Sequence, residues 1–146
     1  MKKTLVIIGI LIIFMAGYFY MNKPRPLQCV GADHLMLARI ADSTYELRGD
    51  IVFRNPNTMR ANLGKVDVNI ALDEEVVGVL HDEFKTAIKG EERFNFSFQV
   101  RFPLSERLLA SRDSIPVHIS GTAGSDVTFA NYTFPVDAGG MVKRIW

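Results

Sequence analysis

Apolar and polar residues alternate with a period of two over most of this chain. The clearest run covers residues 93–102, where polar residues alternate with Phe94, Phe96, Phe98, Val100 and Phe102. This period places one set of side chains on a buried face and the other in solvent, as in a half-buried strand. Pro103 ends the run because proline cannot donate a hydrogen bond to a sheet. The pattern therefore predicts an antiparallel strand.

Shorter runs repeat this alternation along the chain. They cover residues 35–40, 45–53, 66–72, 76–80, 84–88, 115–119 and 127–136. Residues 104–111 have helical spacing instead and predict one short helix. About seven strands with one short helix predict an all-β fold, an antiparallel β-sandwich.

The connections between the strands are also marked in the sequence. The acidic corner at residues 73–75 is typical of a hairpin, and turn chemistry recurs at residues 89–92 and 121–125. The last run changes its apolar phase between Phe129 and Tyr132. A change of phase within one strand predicts a bulge or another irregularity, here near residues 130–131.

The run Arg54-Asn55-Pro56-Asn57 marks the end of the strand at residues 45–53. Pro56 removes a backbone donor and holds Asn55 in an extended conformation, so the strand must stop there. The side chains of Asn55 and Asn57 can bond to nearby backbone groups, as a tight turn requires. We expect a structural role for all three, so that Pro56→Ala mainly lowers stability. Gly49, on the apolar face of the same strand, predicts a bulge or a close approach of backbone.

This motif and its flanks resemble the group 2 late embryogenesis abundant family (LEA type 2), whose domain is also called the water stress and hypersensitive response (WHy) domain. The resemblance lies in a strand ending in Phe-Arg-Asn-Pro-Asn, then Leu63, the strand at residues 66–72 and Val-Val-Gly at 76–78. It covers about residues 35–136. It implies an immunoglobulin-like or fibronectin III-like sandwich with a helix, no known enzymatic activity and a link to desiccation or stress tolerance. Several relatives carry an N-terminal membrane segment, and the family motif maps to Asn55, Pro56 and Asn57 as a structural element.

The N-terminus has the features of a membrane anchor. Two lysines precede an uncharged run, residues 4–21, which would cover about 27 Å as a helix. A signal peptidase reads small residues before its cut, but Ala16 and Gly17 have bulky neighbours at the positions that matter. Three aromatic residues, 18–20, suit the far headgroup region. Residues 1–21 therefore predict an uncleaved signal anchor with the membrane as partner and the domain outside the cytoplasm, on the periplasmic or extracellular side.

The anchor sets the expected domain organisation. Two prolines in residues 22–31 predict a stiff linker, followed by the domain at residues 32–137 and a tail at residues 138–146. The tail is either frayed or in contact with a membrane surface, since it carries basic and aromatic residues. Cys29 is the only cysteine, so it forms no internal disulfide. Lipidation is an alternative for this residue, although the preceding residues do not match a lipobox.

The charge of the domain argues against a nucleic-acid partner. Four of the 17 lysines and arginines precede Val30, so 13 basic residues face 16 acidic ones in the domain. A phosphate-tracking protein needs clustered basic residues on one face. Here both signs are interspersed along the sequence, which predicts a solvated mixed-charge surface.

The residue types that carry chemistry do not form a recognisable site. His34, His81 and His118 are far apart and lack metal-ligand spacing. Ser125 follows a glycine but lacks the strand-turn-helix context of a nucleophile elbow. The acidic residues 73–75 are typical of a solvated corner, with a cation site as the alternative. We therefore expect no catalytic, cofactor-binding or metal-binding residues, and a protein that is not an enzyme.

Two functions agree with these observations. The first is a membrane-tethered protective or interaction module linked to stress or desiccation tolerance. The second is a membrane-associated module that binds lipid or another apolar ligand, because the chain has an unusual number of phenylalanines, eight of its ten in the domain. In either case the partner, a protein or a lipid, is not specified by the sequence.

Overall fold

The computed structural model describes residues 1–103, 113–127 and 130–143. In these ranges one helix precedes seven strands: α1 (Lys2–Met21), β1 (Gln28–Ala41), β2 (Thr44–Arg54), β3 (Ala61–Leu72), β4 (Glu75–Ile88), β5 (Arg93–Pro103), β6 (Ser114–Val127) and β7 (Ala130–Lys143). The predicted all-β fold of about seven strands is confirmed. The short helix expected at residues 104–111 lies outside the described residues and stays a prediction.

The strands form two antiparallel sheets packed face to face. One sheet has the order β1-β2-β5 and the other has the order β4-β3-β6-β7. The alternating apolar faces meet between the sheets, where Ile51 and Phe53 of the first sheet and Ile70 of the second are completely buried. The rings of Phe53 and Phe134 pack edge to face across this core, with centroids 5.9 Å apart. The arrangement is the antiparallel β-sandwich that the period of two predicts.

Strand β6 continues through residues 121–125, so the turn predicted there is wrong. Gly121 lies opposite Val68 in the ladder between β3 and β6, and Ser125 lies opposite Leu63. A Cβ atom on Gly121 would overlap the carbonyl oxygen of Asp67 and lie 2.7 Å from the Cα of Val68. The glycine therefore permits a close approach of two strands.

The change of phase near Tyr132 reflects an irregularity at residues 130–131, as predicted, but this irregularity is the junction of two strands and not a bulge. Strand β6 ends at Val127, strand β7 begins at Ala130, and these two residues pair. The register of this pair has no shift over its described residues. One apparent strand was therefore the junction of two.

Both domain boundaries differ from those expected. Strand β1 begins at Gln28, and Leu27 before it is buried, so the folded domain takes in the end of the expected linker at 22–31. At the other end, β7 continues to Lys143 with Ala138 and Val142 in the core, so residues 138–143 are not a tail. Both strand ends consist largely of small and polar residues. They carry few apolar side chains on the inward face, so the alternating pattern did not reveal them.

The structure tests two further local expectations, one for the corner at residues 73–75 and one for Gly49. The corner between β3 and β4 is a tight hairpin in which Asp73 and Glu74 have positive φ. Gly49 lies where a Cβ atom would be 2.6 Å from a methyl carbon of Leu35 and 3.0 Å from the ring of Phe98. The β2–β5 register is continuous there, but the β1–β2 register shifts between Asp33 and Met36, directly opposite Gly49. Of the two alternatives for Gly49, the irregularity of a bulge is therefore the one observed, on the neighbouring strand, and the atoms close to the glycine belong to side chains and not to backbone.

Helix α1 packs against nothing in the described chain. None of its residues is buried, and its aliphatic and aromatic side chains are exposed on all sides. By length and composition it is able to cross a membrane, a property that a signal sequence shares.

Candidate functional site at the Asn-Pro-Asn end of the sandwich

The loop between β2 and β3 is organised by the buried side chain of Asn55. Its Nδ2 donates to the carbonyl oxygens of Met59, Ile88 and Lys89 at 2.9, 3.0 and 3.2 Å. Its Oδ1 accepts hydrogen bonds from the backbone and side-chain nitrogens of Asn57 at 3.0 and 2.9 Å. Where β2 leaves the ladder, one amide thus pairs backbone groups that would otherwise be buried without partners.

The turn at residues 89–92 packs directly on this loop. The backbone N–H of Asn55 donates to the carbonyl oxygen of Glu92, and that of Glu91 donates to the carbonyl oxygen of Asn57, both at 3.0 Å. A Cβ atom on Gly90 would overlap the carbonyl group of Thr58. The sequence indicated both the turn and the loop but not their contact, and Gly90 was the only signal for it.

The segment that follows α1 is attached to the same loop. The backbone N–H of Arg25 donates to Oδ1 of Asn57 at 2.7 Å, and Nδ2 of Asn57 donates back to the carbonyl oxygen of Arg25 at 2.8 Å. The hydroxyl of Tyr132 donates to the carbonyl oxygen of Pro24 at 2.8 Å. Residues 24 and 25 are therefore held by side chains of the sandwich. We call residues 22–26 the tether.

A groove of about 690 Å³ lies beside the tether. Its apolar lining includes Leu27 and Phe134, and its charged lining comes from Arg54 and Arg93. The two arginines lie directly opposite each other at the ends of β2 and β5, and both are exposed. Within the described chain neither of them forms an ion pair. The sequence placed Arg54 beside the motif but did not indicate that Arg93 is its neighbour.

A second polar cluster covers the outer face of the three-stranded sheet. Glu46 points outward yet is only 2% exposed, because the side chains of Arg48, Gln99 and Arg101 lie over it. Burial disfavours its ionised form, but hydrogen bonds from Arg101, Arg48 and Gln99 outweigh burial and hold the pKa of Glu46 below its usual value. The carboxylate remains charged, with its oxygens occupied by donors.

Asp50 is held in a similar way further along the same face. Ser97 donates to it at 2.7 Å, and the ring of His34 and the amide of Asn95 lie at 3.0 and 3.4 Å. The hydrogen bond from Ser97 is the largest cause that lowers the pKa of Asp50. A carboxylate whose oxygens are engaged by side chains of the two neighbouring strands supports the sheet, and it has little capacity left to take up a substrate proton.

The structure keeps the other candidate residues apart. His34, His81 and His118 lie on β1, β4 and β6, and each contacts a different aspartate. The described residues contain no cluster of three or more histidine, cysteine or acidic side chains arranged to hold a metal ion. Ser125 is buried in β6, where its strand context differs from that of a nucleophile elbow. Cys29 lies in β1, half-buried, and burial raises the pKa of its thiol.

The comparisons with known proteins concern the fold. No protein-family model matches the chain, and no curated protein matches it. A solution structure of a protein from Arabidopsis thaliana aligns with a TM-score of 0.64 and 14% identity, covering 84% of this chain and 87% of its own. A solution structure of "a putative late embryogenesis abundant (LEA) protein" aligns with a TM-score of 0.58 and 13% identity, covering 98% and 86%. The resemblance found from the motif is therefore confirmed at the level of the fold, which is that of an LEA-like domain.

Proposed function

We propose that this chain is a membrane-tethered, non-enzymatic protein. Its LEA-like sandwich serves as a protective or interaction module at the membrane, linked to tolerance of drying or osmotic stress. The observation that carries the proposal is the attachment of the tether, in which Asn57 and Tyr132 hold the backbone only a few residues after α1.

The attached tether favours a retained membrane helix over a cleaved signal sequence. Only residues 22 and 23 separate the end of α1 from the segment held by the sandwich. In addition, Ala16 and Gly17 have bulky neighbours at the positions that a signal peptidase reads. Retention places the domain at the membrane surface, on the side away from the cytoplasm if the N-terminal lysines stay inside.

The polar clusters support a role without catalysis. Glu46 and Asp50 each contact three polar side chains of their own or neighbouring strands. Such carboxylates stay ionised and fixed, whereas a general acid or base needs a pKa near the working pH and an oxygen free for substrate. The likeness in fold to an LEA protein adds the proposed link to stress.

Gene deletion tests the physiological part of the proposal. We expect the deletion strain to survive drying or osmotic shock less well, and the full chain to restore survival. A matched variant in which a cleavable signal sequence replaces residues 1–21 should restore it poorly, because the domain would no longer be held at the membrane. Extraction of membranes at alkaline pH, with the full chain remaining in the pellet, checks the anchor separately. Unchanged survival of the deletion strain would count against the protective role.

The groove gives a second candidate, the binding of a lipid or another apolar ligand. Leu27 and Phe134 line the groove but are almost fully buried, and Phe53, Phe98 and Phe102 belong to the packed core. The phenylalanines that suggested ligand binding from the sequence are therefore largely committed to stability. Solvent extraction and mass spectrometry of the purified full chain would show a bound lipid in near-stoichiometric amount if this candidate holds. A chain that purifies without any such ligand would exclude it.

A further inference from the structure

We infer that the end of the sandwich carrying the Asn-Pro-Asn loop is a docking surface for the anionic phospholipid headgroups of the membrane that holds α1. We call this end, formed by the tether, residues 54–60 and residues 89–93, the docking end. The inference rests on the proposed tethering. It adds which face of the domain meets the membrane, and by what chemistry.

The tether limits where the sandwich can lie. Arg25 is fixed on Asn57, and it lies four positions after Met21 at the end of α1. Four extended residues span at most about 14 Å. If α1 crosses the bilayer, the docking end is therefore kept within about that distance of the headgroups. The surface potential of an anionic membrane extends over about one Debye length, which is about 8 Å at physiological ionic strength.

Basic residues outnumber acidic ones among the described residues of the docking end, although the domain as a whole is mixed. The exposed basic residues there are Lys23, Arg25, Arg54, Arg60, Lys89 and Arg93. The acidic residues described there are Glu91 and Glu92, and Asp126 lies next to this end, near the end of β6. An anionic surface would therefore attract the docking end.

Arg54 and Arg93 give the strongest local indication of an anion. They face each other directly across β2 and β5, an arrangement of like charges that destabilises a sheet. Elsewhere on this outer face an acidic residue has a donor opposite, as in the pair Glu46 and Arg101. Two adjacent guanidinium groups fit a phosphate diester, because each offers planar paired donors. The apolar lining of the groove beside them can receive the glycerol region of a lipid.

Amine footprinting of the full chain in lipid nanodiscs tests the inference. Discs of phosphatidylcholine alone are compared with discs containing about one third phosphatidylglycerol, and acetylation of each lysine is measured by mass spectrometry. We expect acetylation of Lys89 to fall roughly threefold or more in the anionic discs, and to recover in 0.5 M salt. Acetylation of Lys143, at the opposite end, should not change.

Two charge-matched variants identify the residues responsible. Arg54→Gln with Arg93→Gln should weaken docking roughly tenfold or more and restore acetylation of Lys89 in anionic discs. Arg39→Gln with Lys65→Gln removes the same charge elsewhere and should leave the protection intact. Circular dichroism checks that both variants fold.

Each outcome bears on one part of the reasoning. Equal acetylation of Lys89 in the two kinds of disc, with the chain inserted, overturns the docking surface and leaves the tethering intact. The docking surface is also overturned if Lys89 stays protected from acetylation in 0.5 M salt. The same holds if the two double variants lose this protection equally. A chain that fails to insert into either disc overturns the tethering and the docking inference together. A change in stress survival bears on neither, so the protective role is tested independently.

Discussion

Replacement of Asn55 is the sharpest test of how the Asn-Pro-Asn loop is held. The side chain is fully buried, donates to three carbonyl oxygens and accepts two hydrogen bonds from Asn57. An amide has only two hydrogens to donate, so about four hydrogen bonds count at full strength. At about 0.5–1 kcal/mol net for each, Asn55→Ala should lower the free energy of unfolding by about 2–4 kcal/mol. For a domain of this size, that corresponds to a fall in Tm of about 8–16 °C.

Asn55→Asp separates hydrogen bonding from packing, because aspartate has nearly the same shape. At neutral pH its carboxylate would face the carbonyl oxygens of Met59, Ile88 and Lys89 without a donor. The variant should therefore be less stable than Asn55→Ala at pH 7. Its pKa in the folded state would be raised. The stability that remains with a protonated side chain is thus present below about pH 4 and lost as the pH rises through the folded-state pKa.

Thermal unfolding of the full chain in a mild non-ionic detergent, followed by far-UV circular dichroism, measures these effects while α1 stays helical in the micelle. The comparison needs the original chain, Asn55→Ala and Asn55→Asp at pH 7 and pH 4. The reasoning is refuted if Asn55→Asp is as stable as the original chain at pH 7, or if acidification does not narrow its difference from Asn55→Ala. An exposed neighbour, Thr58→Ala, serves as a control and should change Tm by no more than about 2 °C.

Three further predictions follow from individual contacts. Tyr132→Phe removes the hydrogen bond to the tether, so hydrogen exchange at the amide of Arg25 should speed up several-fold while Tm changes little. Gly121→Ala should lower the free energy of unfolding by about 3 kcal/mol or more, because its Cβ would overlap β3. At Gly64 the atom nearest to an added Cβ is 3.6 Å away, so Gly64→Ala should change the free energy of unfolding by less than about 1 kcal/mol. Denaturant titrations measure both changes. The pKa of Glu46 is lowered in the folded state, so its contribution to stability is present above about pH 4.3 and lost as the pH falls; Glu46→Gln should flatten the acid limb of a plot of Tm against pH.

The period of two was sufficient to predict the sandwich. Every second residue of a strand faces the core, and whether that residue is apolar can be read directly from the sequence. It failed where small residues interrupt the pattern. Gly121 read as a turn because glycine is common in turns, but it lies in mid-strand against β3. At residues 138–143 the inward positions carry Ala138 and Val142 among glycines, too few apolar residues to reveal a strand.

The contacts of the site could not be predicted from local patterns, because they join distant parts of the chain. Asn57 and Arg25 are 32 residues apart, and Tyr132 and Pro24 are 108 apart. A two-residue period predicts that Asn57 follows a strand, but it contains no information on which carbonyl the side chain will reach. The pairing of β2 with β5, which places Arg54 opposite Arg93, depends in the same way on sheet order.

The two asparagines of the Asn-Pro-Asn motif bind different groups, and this difference bears on why the tether is attached to the sandwich. Ending a strand requires only local bonds, and Asn55 supplies them within the loop and to the neighbouring turn. The side chain of Asn57 instead reaches the backbone of Arg25, outside the loop, and pairs both its N–H and its carbonyl oxygen. If the motif served stability alone, water at the domain surface could bond to the N–H and the carbonyl oxygen of Arg25 at little cost in free energy. Fixing Arg25 has a consequence that water cannot provide, since it sets which end of the sandwich follows the helix. Asn57→Ala should therefore free the orientation of the domain more than it lowers stability, whereas Asn55→Ala should do the reverse.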